Sequence, residues 1–153
     1  MKTIGEGGVP IEVLLVEDNL GDVRLTQEAF REANRLIHLH VASDGVEAMD
    51  FLRHERAHAH SPRPDLILLD LNLPKMDGRE VLAHVKADNN LKTIPTIILT
   101  TSEAPADIVK SYQLQANCYL TKPVQLEEFE KLVKSINDFW LTTAKLPNQS
   151  ARA

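Results

Sequence analysis

Four places in this chain carry side chains that can do chemistry together. Glu17-Asp18, Asp70 and Thr100 each end an aliphatic run, and Lys122 follows a short, partly apolar stretch. The fullest run reads Pro64-Asp65-Leu66-Ile67-Leu68-Leu69-Asp70, and after it come Pro74 and the turn pair Asp77-Gly78. Four aliphatic residues leading into a carboxylate between prolines predict a strand buried on both faces, with Asp70 at its carboxyl end. Ligands bind at that end of open α/β sheets, which makes Asp70 a candidate nucleophile. Three carboxylates in one pocket repel each other unless a hard divalent cation shares them. Mg²⁺ is the expected cation, with Mn²⁺ as the alternative, because it takes oxygen ligands and keeps several waters. A lysine ammonium and a threonine hydroxyl then supply what a phosphoryl group needs as its equatorial oxygens gain charge during transfer.

These residues lie far apart in sequence, so the elements between them must bring them together. Short apolar runs predict strands at 11–16, 38–41, 66–69, 96–99 and 117–120. Helical periodicity predicts helices at 22–34, 46–56, 78–87, 105–114 and 126–142, the second of them capped by Ser43-Asp44-Gly45. Strict alternation of strand and helix implies right-handed crossovers and a doubly wound parallel sheet with helices on both faces. The strand ends then share one edge, and the polar groups converge there. One domain, 11–142, is expected between a leader at 1–10 and a tail at 143–153.

Bulk properties exclude several classes. The chain has 153 residues and a net charge of −5, so no global basic field draws nucleic acid or anionic lipid. No apolar run approaches the ~18–20 residues that span a bilayer, and the first ten residues lack the apolar core of a signal peptide. The single cysteine, Cys118, excludes an internal disulfide framework. A cytoplasmic location is the expectation.

The set Glu17-Asp18, Asp70, Thr100 and Lys122-Pro123 resembles the receiver domain of two-component response regulators, over residues 11–141. The resemblance implies a flavodoxin-like (CheY-like) fold with strand order 2-1-3-4-5. It implies Asp70 as phosphoacceptor, Asp18 as a direct Mg²⁺ ligand, Glu17 as a ligand through the water shell and the Asn72 backbone carbonyl as the remaining protein ligand. Thr100 and Lys122 would each meet a phosphate oxygen. Tyr119 occupies the switch aromatic position, coupled to Thr100, and Pro123 the place of a cis bond. The phosphoryl donor would be a sensor histidine kinase. The protein would catalyse only its own phosphotransfer and slow dephosphorylation, and so would not be an enzyme acting on a separate substrate.

The chain also resembles the small regulators paired with cyanobacterial phytochromes. The residues are Ser61-Pro62-Arg63-Pro64, Asp70-Leu71-Asn72-Leu73-Pro74-Lys75, Gly78-Arg79-Glu80-Val81-Leu82-Ala83, Asn117-Cys118-Tyr119-Leu120-Thr121-Lys122 and Phe139-Trp140-Leu141. A phytochrome-like kinase is the partner this implies. No helix-turn-helix module follows Trp140, so output through protein contacts is expected.

Two other functions compete with this reading. An aspartyl-phosphate phosphatase of the haloacid-dehalogenase type needs a second acid two residues after the nucleophile, where this chain has Asn72. A degenerate receiver that serves only as an adaptor is argued against by the complete acidic set. His54, His58 and His60 could bind zinc, the first two being one helical turn apart, but no cysteine is near and a solvated loop is the plainer account. Arg53, Arg56 and Arg63 are too sparse for a nucleic-acid patch. The last helix places Leu126, Phe129, Val133, Ile136 and Trp140 on a stripe that suits packing on the sheet, widened by Leu132 and Phe139. Ile108, Val109 and Tyr112 extend the apolar surface onto the preceding helix. An apolar face this wide points to a partner, and a homodimer through helix 4, strand 5 and helix 5 is expected, a pairing the resemblance also implies.

Overall fold

The computed structural model describes residues 9–147. Its strands are Ile11–Val16 (β1), Ile37–Ala42 (β2), Leu66–Leu69 (β3), Thr96–Thr100 (β4) and Cys118–Thr121 (β5). The helices between and after them are Leu20–Ala33 (α1), Gly45–Arg53 (α2), Gly78–Ala87 (α3), Pro105–Gln113 (α4) and Leu126–Asp138 (α5). All pairings are parallel, and the sheet order is β2-β1-β3-β4-β5. The chain therefore reverses its winding direction between β1 and β3, and the crevice beyond their carboxyl ends is the natural binding place.

The period-2 alternation of the strands divides the core into two layers. Leu14, Val16, Ile67, Leu69 and Ile98 face α2 and α3, meeting Phe51, Leu52, Val81, Leu82 and Val85. Val13, Leu15, Leu66, Leu68 and Ile97 face α1 and α5, meeting Phe30, Phe129, Val133 and Ile136. Three helices start at side-chain caps next to the site edge. Asn19 Oδ1 accepts from Asp22 N at 2.9 Å, Asp44 Oδ1 from Glu47 N at 2.7 Å, and Asp77 Oδ2 from Arg79 N at 2.9 Å. Ser43 N, one residue before the Asp44 cap, donates in return to Glu47 Oε1 at 2.8 Å, which ties the start of α2 to the chain entering it.

Several expectations change. The second helix stops at Arg53, because His54 takes a left-handed conformation with φ 58° and its N–H and that of Glu55 turn back to the last carbonyls. His54 and His58 therefore do not share a helix face. His54 Nδ1 meets Ser61 Oγ and His58 Nε2 meets Glu47 Oε2, so these residues form no zinc cluster. The last helix gives way after Asp138 to a π turn, Phe139–Thr143, closed by Ala144 N on Phe139 O. Leu146, in the segment read as tail, is buried against the α1/α5 layer. Residues 1–8 of the expected leader and 148–153 of the tail lie outside the described residues. Leu126, expected on the stripe that packs on the sheet, is 52% exposed, since it stands in the first turn of its helix. No cis peptide bond occurs among the described residues, so Lys122–Pro123 is trans. That is the isomer an X–Pro bond favours by about 0.5–1 kcal/mol when nothing forces the other.

Candidate functional site

The site is built by register. Val16 pairs with Leu69, so Glu17 and Asp70, each one residue beyond its strand, lie side by side. Asp70 N donates to Val16 O at 3.1 Å, which holds the backbone under the carboxylate. Thr100 pairs with Thr121 at the ends of β4 and β5, and Lys122 N donates to Thr100 O at 2.7 Å. Thus all four sequence positions meet at one edge.

The loop after Asp70 is seated on two glycines. A Cβ on Gly78 would lie 2.1 Å from the Asp70 carbonyl oxygen, and one on Gly45 would lie 2.1 Å from that of Met76. Each glycine lets a helix start pack against this loop, which fixes Asp70 on rigid backbone. Asn72 N donates to Asp70 Oδ1 at 3.3 Å, and Asn72 is exposed beside the pocket.

Ligand oxygens of Glu17, Asp18 and Asp70 lie within 4.8 Å of one another, the one such cluster among the described residues. Glu17 and Asp70 are buried and Asp18 is exposed. An all-carboxylate set with an open, solvent-facing member matches what Mg²⁺ or Mn²⁺ requires and what a soft metal avoids. Lys122 stands over the cluster. Its Nζ donates to Asp70 Oδ2 at 2.9 Å, to Asp22 Oδ2 at 2.9 Å and to Glu17 Oε1. Burial alone would lower the Lys122 pKa, but its hydrogen bonds to the three carboxylates raise it, so the ammonium stays charged. Burial pushes the Glu17 carboxyl up to about 7, against the pull of Lys122.

Thr100 carries a further signal. Its Oγ1 is buried and has no hydrogen-bond partner, one of two such side-chain atoms among the described residues. An unsatisfied buried hydroxyl costs about 1–3 kcal/mol. A phosphoryl oxygen bound to Asp70 is the kind of partner that would satisfy it.

Tyr119 is half-buried and its hydroxyl donates to the Ser102 carbonyl at 2.9 Å. Sequence reasoning placed Tyr119 here but missed what holds the loop it touches. Ser102 Oγ donates to Asp107 Oδ2 at 2.6 Å, and Arg79 Nη2 donates to Asp107 Oδ1 at 2.7 Å. Arg79 also bonds Asp77, so one guanidinium ties the start of α3 to the start of α4. Asp22 was missed too. The signal for it was its place in the first turn of a helix that begins beside Asp18.

Residues 13–134 match the model of the response regulator receiver domain. The chain belongs to this family. It is 49% identical over 142 residues to the response regulator Rcp1 of Synechocystis sp., covering 93% of this chain and 97% of that protein. A crystal structure of the phosphorylated cyanobacterial phytochrome response regulator RcpA superposes with a TM-score of 0.88 at 50% identity, covering 91% of this chain and 99% of that one. The Mn²⁺-bound form of Rcp1 superposes with a TM-score of 0.87 at 49% identity, covering 90% and 99%. The CheY-like fold and the relation to phytochrome response regulators are thereby shown. Among the described residues no helix is long and apolar enough to cross a membrane.

Proposed function

We propose that this receiver accepts a phosphoryl group on Asp70 from a phosphohistidine of a sensor histidine kinase, and that the kinase is phytochrome-like. The observation that carries the reading is the pairing of Asp70 with Lys122 beside the orphaned Thr100 hydroxyl, above a three-carboxylate cluster. The kinase class rests on similarity to Rcp1 and RcpA. Asp18 and Asp70, the Asn72 carbonyl, and Glu17 through the water shell would hold Mg²⁺. When bound, the ion would neutralise charge on the phosphoryl oxygens.

An Asp70 oxygen attacks phosphorus in line. The N–P bond to the donor imidazole breaks, the imidazole leaves, and an acyl phosphate forms on Asp70. Lys122 pairs with one phosphoryl oxygen and Thr100 Oγ1 donates to another. Movement of Thr100 and of the loop at Ser102 reaches Tyr119 and α4, a local charge event that biases a two-state element. Catalysis is limited to the protein's own phosphorylation and the slow loss of that group. The output is a change in protein contacts, including a homodimer through α4, β5 and α5, where Val109, Tyr112 and Phe139 are exposed and Ile108 and Leu132 half-buried.

Incubation with acetyl phosphate and Mg²⁺ tests the assignment by mass spectrometry. One phosphoryl group should be gained by the wild-type chain and none with EDTA or in Asp70→Asn. Labelling that persists in Asp70→Asn overturns the assignment.

A further inference from the structure

We infer that Asp22 is a positioning residue, which keeps Lys122 when Glu17 and Asp70 turn to a divalent cation and yields it when a phosphoryl group arrives. The inference rests on the phosphoreceiver reading and deepens it.

Lys122 has three donors and three carboxylate partners, so its ammonium is fully matched. Two of those partners, Glu17 and Asp70, belong to the cation cluster; Asp22 does not. A cation and Lys122 therefore compete for the same two side chains. Without Asp22, an ammonium whose side chain is 5% exposed would lose most of its pairing on metal binding, and unpaired buried charge is costly. Asp22 offers it a partner 2.9 Å away that need not turn to the cation.

The placement of Asp22 is firm. Its N–H is held by Asn19 Oδ1, and its carbonyl accepts from Thr26 Oγ1 at 2.7 Å. The carboxylate sits on the rim, 27% exposed, so losing Lys122 leaves it hydrated instead of stranded. Asp22 therefore favours the cation and opposes the phosphoryl group. These opposite signs separate the role from a merely structural one, which would weaken both.

The experiment uses the full chain and isothermal titration, first with MgCl₂ alone and then with beryllofluoride at saturating Mg²⁺. Asp22→Asn should weaken Mg²⁺ binding by about threefold and tighten beryllofluoride binding by a similar factor. Asp22→Glu keeps the charge and should fall between wild type and Asp22→Asn in both titrations. In a Lys122→Met background, replacing Asp22 should change Mg²⁺ affinity by less than about twofold. An effect that persists in that background means Asp22 acts as a bare charge and overturns the inference. So does weakening of both ligands in Asp22→Asn, or no change in either. If the wild-type chain binds no beryllofluoride with Mg²⁺ present, the phosphoreceiver reading itself fails.

Discussion

The strand that leads into Asp70 and the helix that follows Thr100 are held in opposite ways. β3 is buried at all four positions, and α3 behind it buries Gly78, Val81, Leu82 and Val85. α4 buries only Ser111, and every residue of β5 is partly exposed. What ties down the start of α4 is polar: Arg79 and Ser102 on Asp107, with Tyr119 on the Ser102 carbonyl. α4 has no side-chain cap of its own, since Ala104 fills that position. Asp70 thus stands on a segment that opens only with the whole fold, and α4 is a segment that opens locally at small cost, the division the proposed switch requires.

The contrast can be broken first at β3. Leu68→Ala should lower unfolding free energy by about 2–5 kcal/mol in urea denaturation, because Leu68 is fully buried between strand neighbours and the α1/α5 layer. A loss under about 1 kcal/mol would mean the strand is not the rigid half. Gly78→Ala comes next. Its Cβ must displace the Asp70 backbone, an overpacking that costs about 1–3 kcal/mol. It should also slow acetyl phosphate labelling, measured by mass spectrometry, more than its stability loss explains.

The two halves also differ in how far the sequence revealed them. Strand 66–69 and helix 78–87 matched at both ends, because Pro64 and Asp77-Gly78 punctuate them and burial on both faces leaves an unbroken apolar run. The four clusters of the site were legible because each ends a strand, and parallel topology brings strand ends together. The end of α2 was not legible, since a histidine and no glycine takes the left-handed turn there. Nor were the contacts that hold α4. Arg79 and Asp107 are 28 residues apart, and nothing local pairs them. Asp22 read as an ordinary first-turn acid, and only the folded chain brings Lys122, 100 residues on, to its side.

The α4 tie is the next point of test. Arg79→Ala should cost about 1 kcal/mol or less globally, as expected of a part-exposed pair, yet speed amide exchange in α4 while leaving β3 unchanged. Acid should mimic it. Hydrogen bonds from Ser102 and Arg79 hold the Asp107 carboxyl below its ordinary value of 3.8. A depressed acid stabilises the fold above its unfolded pKa, and this contribution is lost as pH falls through the folded value. Amide chemical shifts of α4 should therefore move below about pH 4 before those of β3, and this order should vanish in Asp107→Asn.

The smallest effect on the monomer is expected on the outer face of α4. Val109 is 54% exposed and Tyr112 is 50% exposed, so truncating Val109 removes little buried area. Val109→Ser should change unfolding free energy by less than about 0.5 kcal/mol. If the face pairs two copies, the same change should lower the dimer fraction in sedimentation velocity, because a polar group would be buried there without a partner. Loss of stability with no change in sedimentation would place Val109 in the monomer core, contrary to its exposure. A wild-type chain that sediments only as monomer at micromolar concentration, with and without beryllofluoride, would leave α4 without a second copy to report to. The thin burial of α4 would then serve a different protein partner.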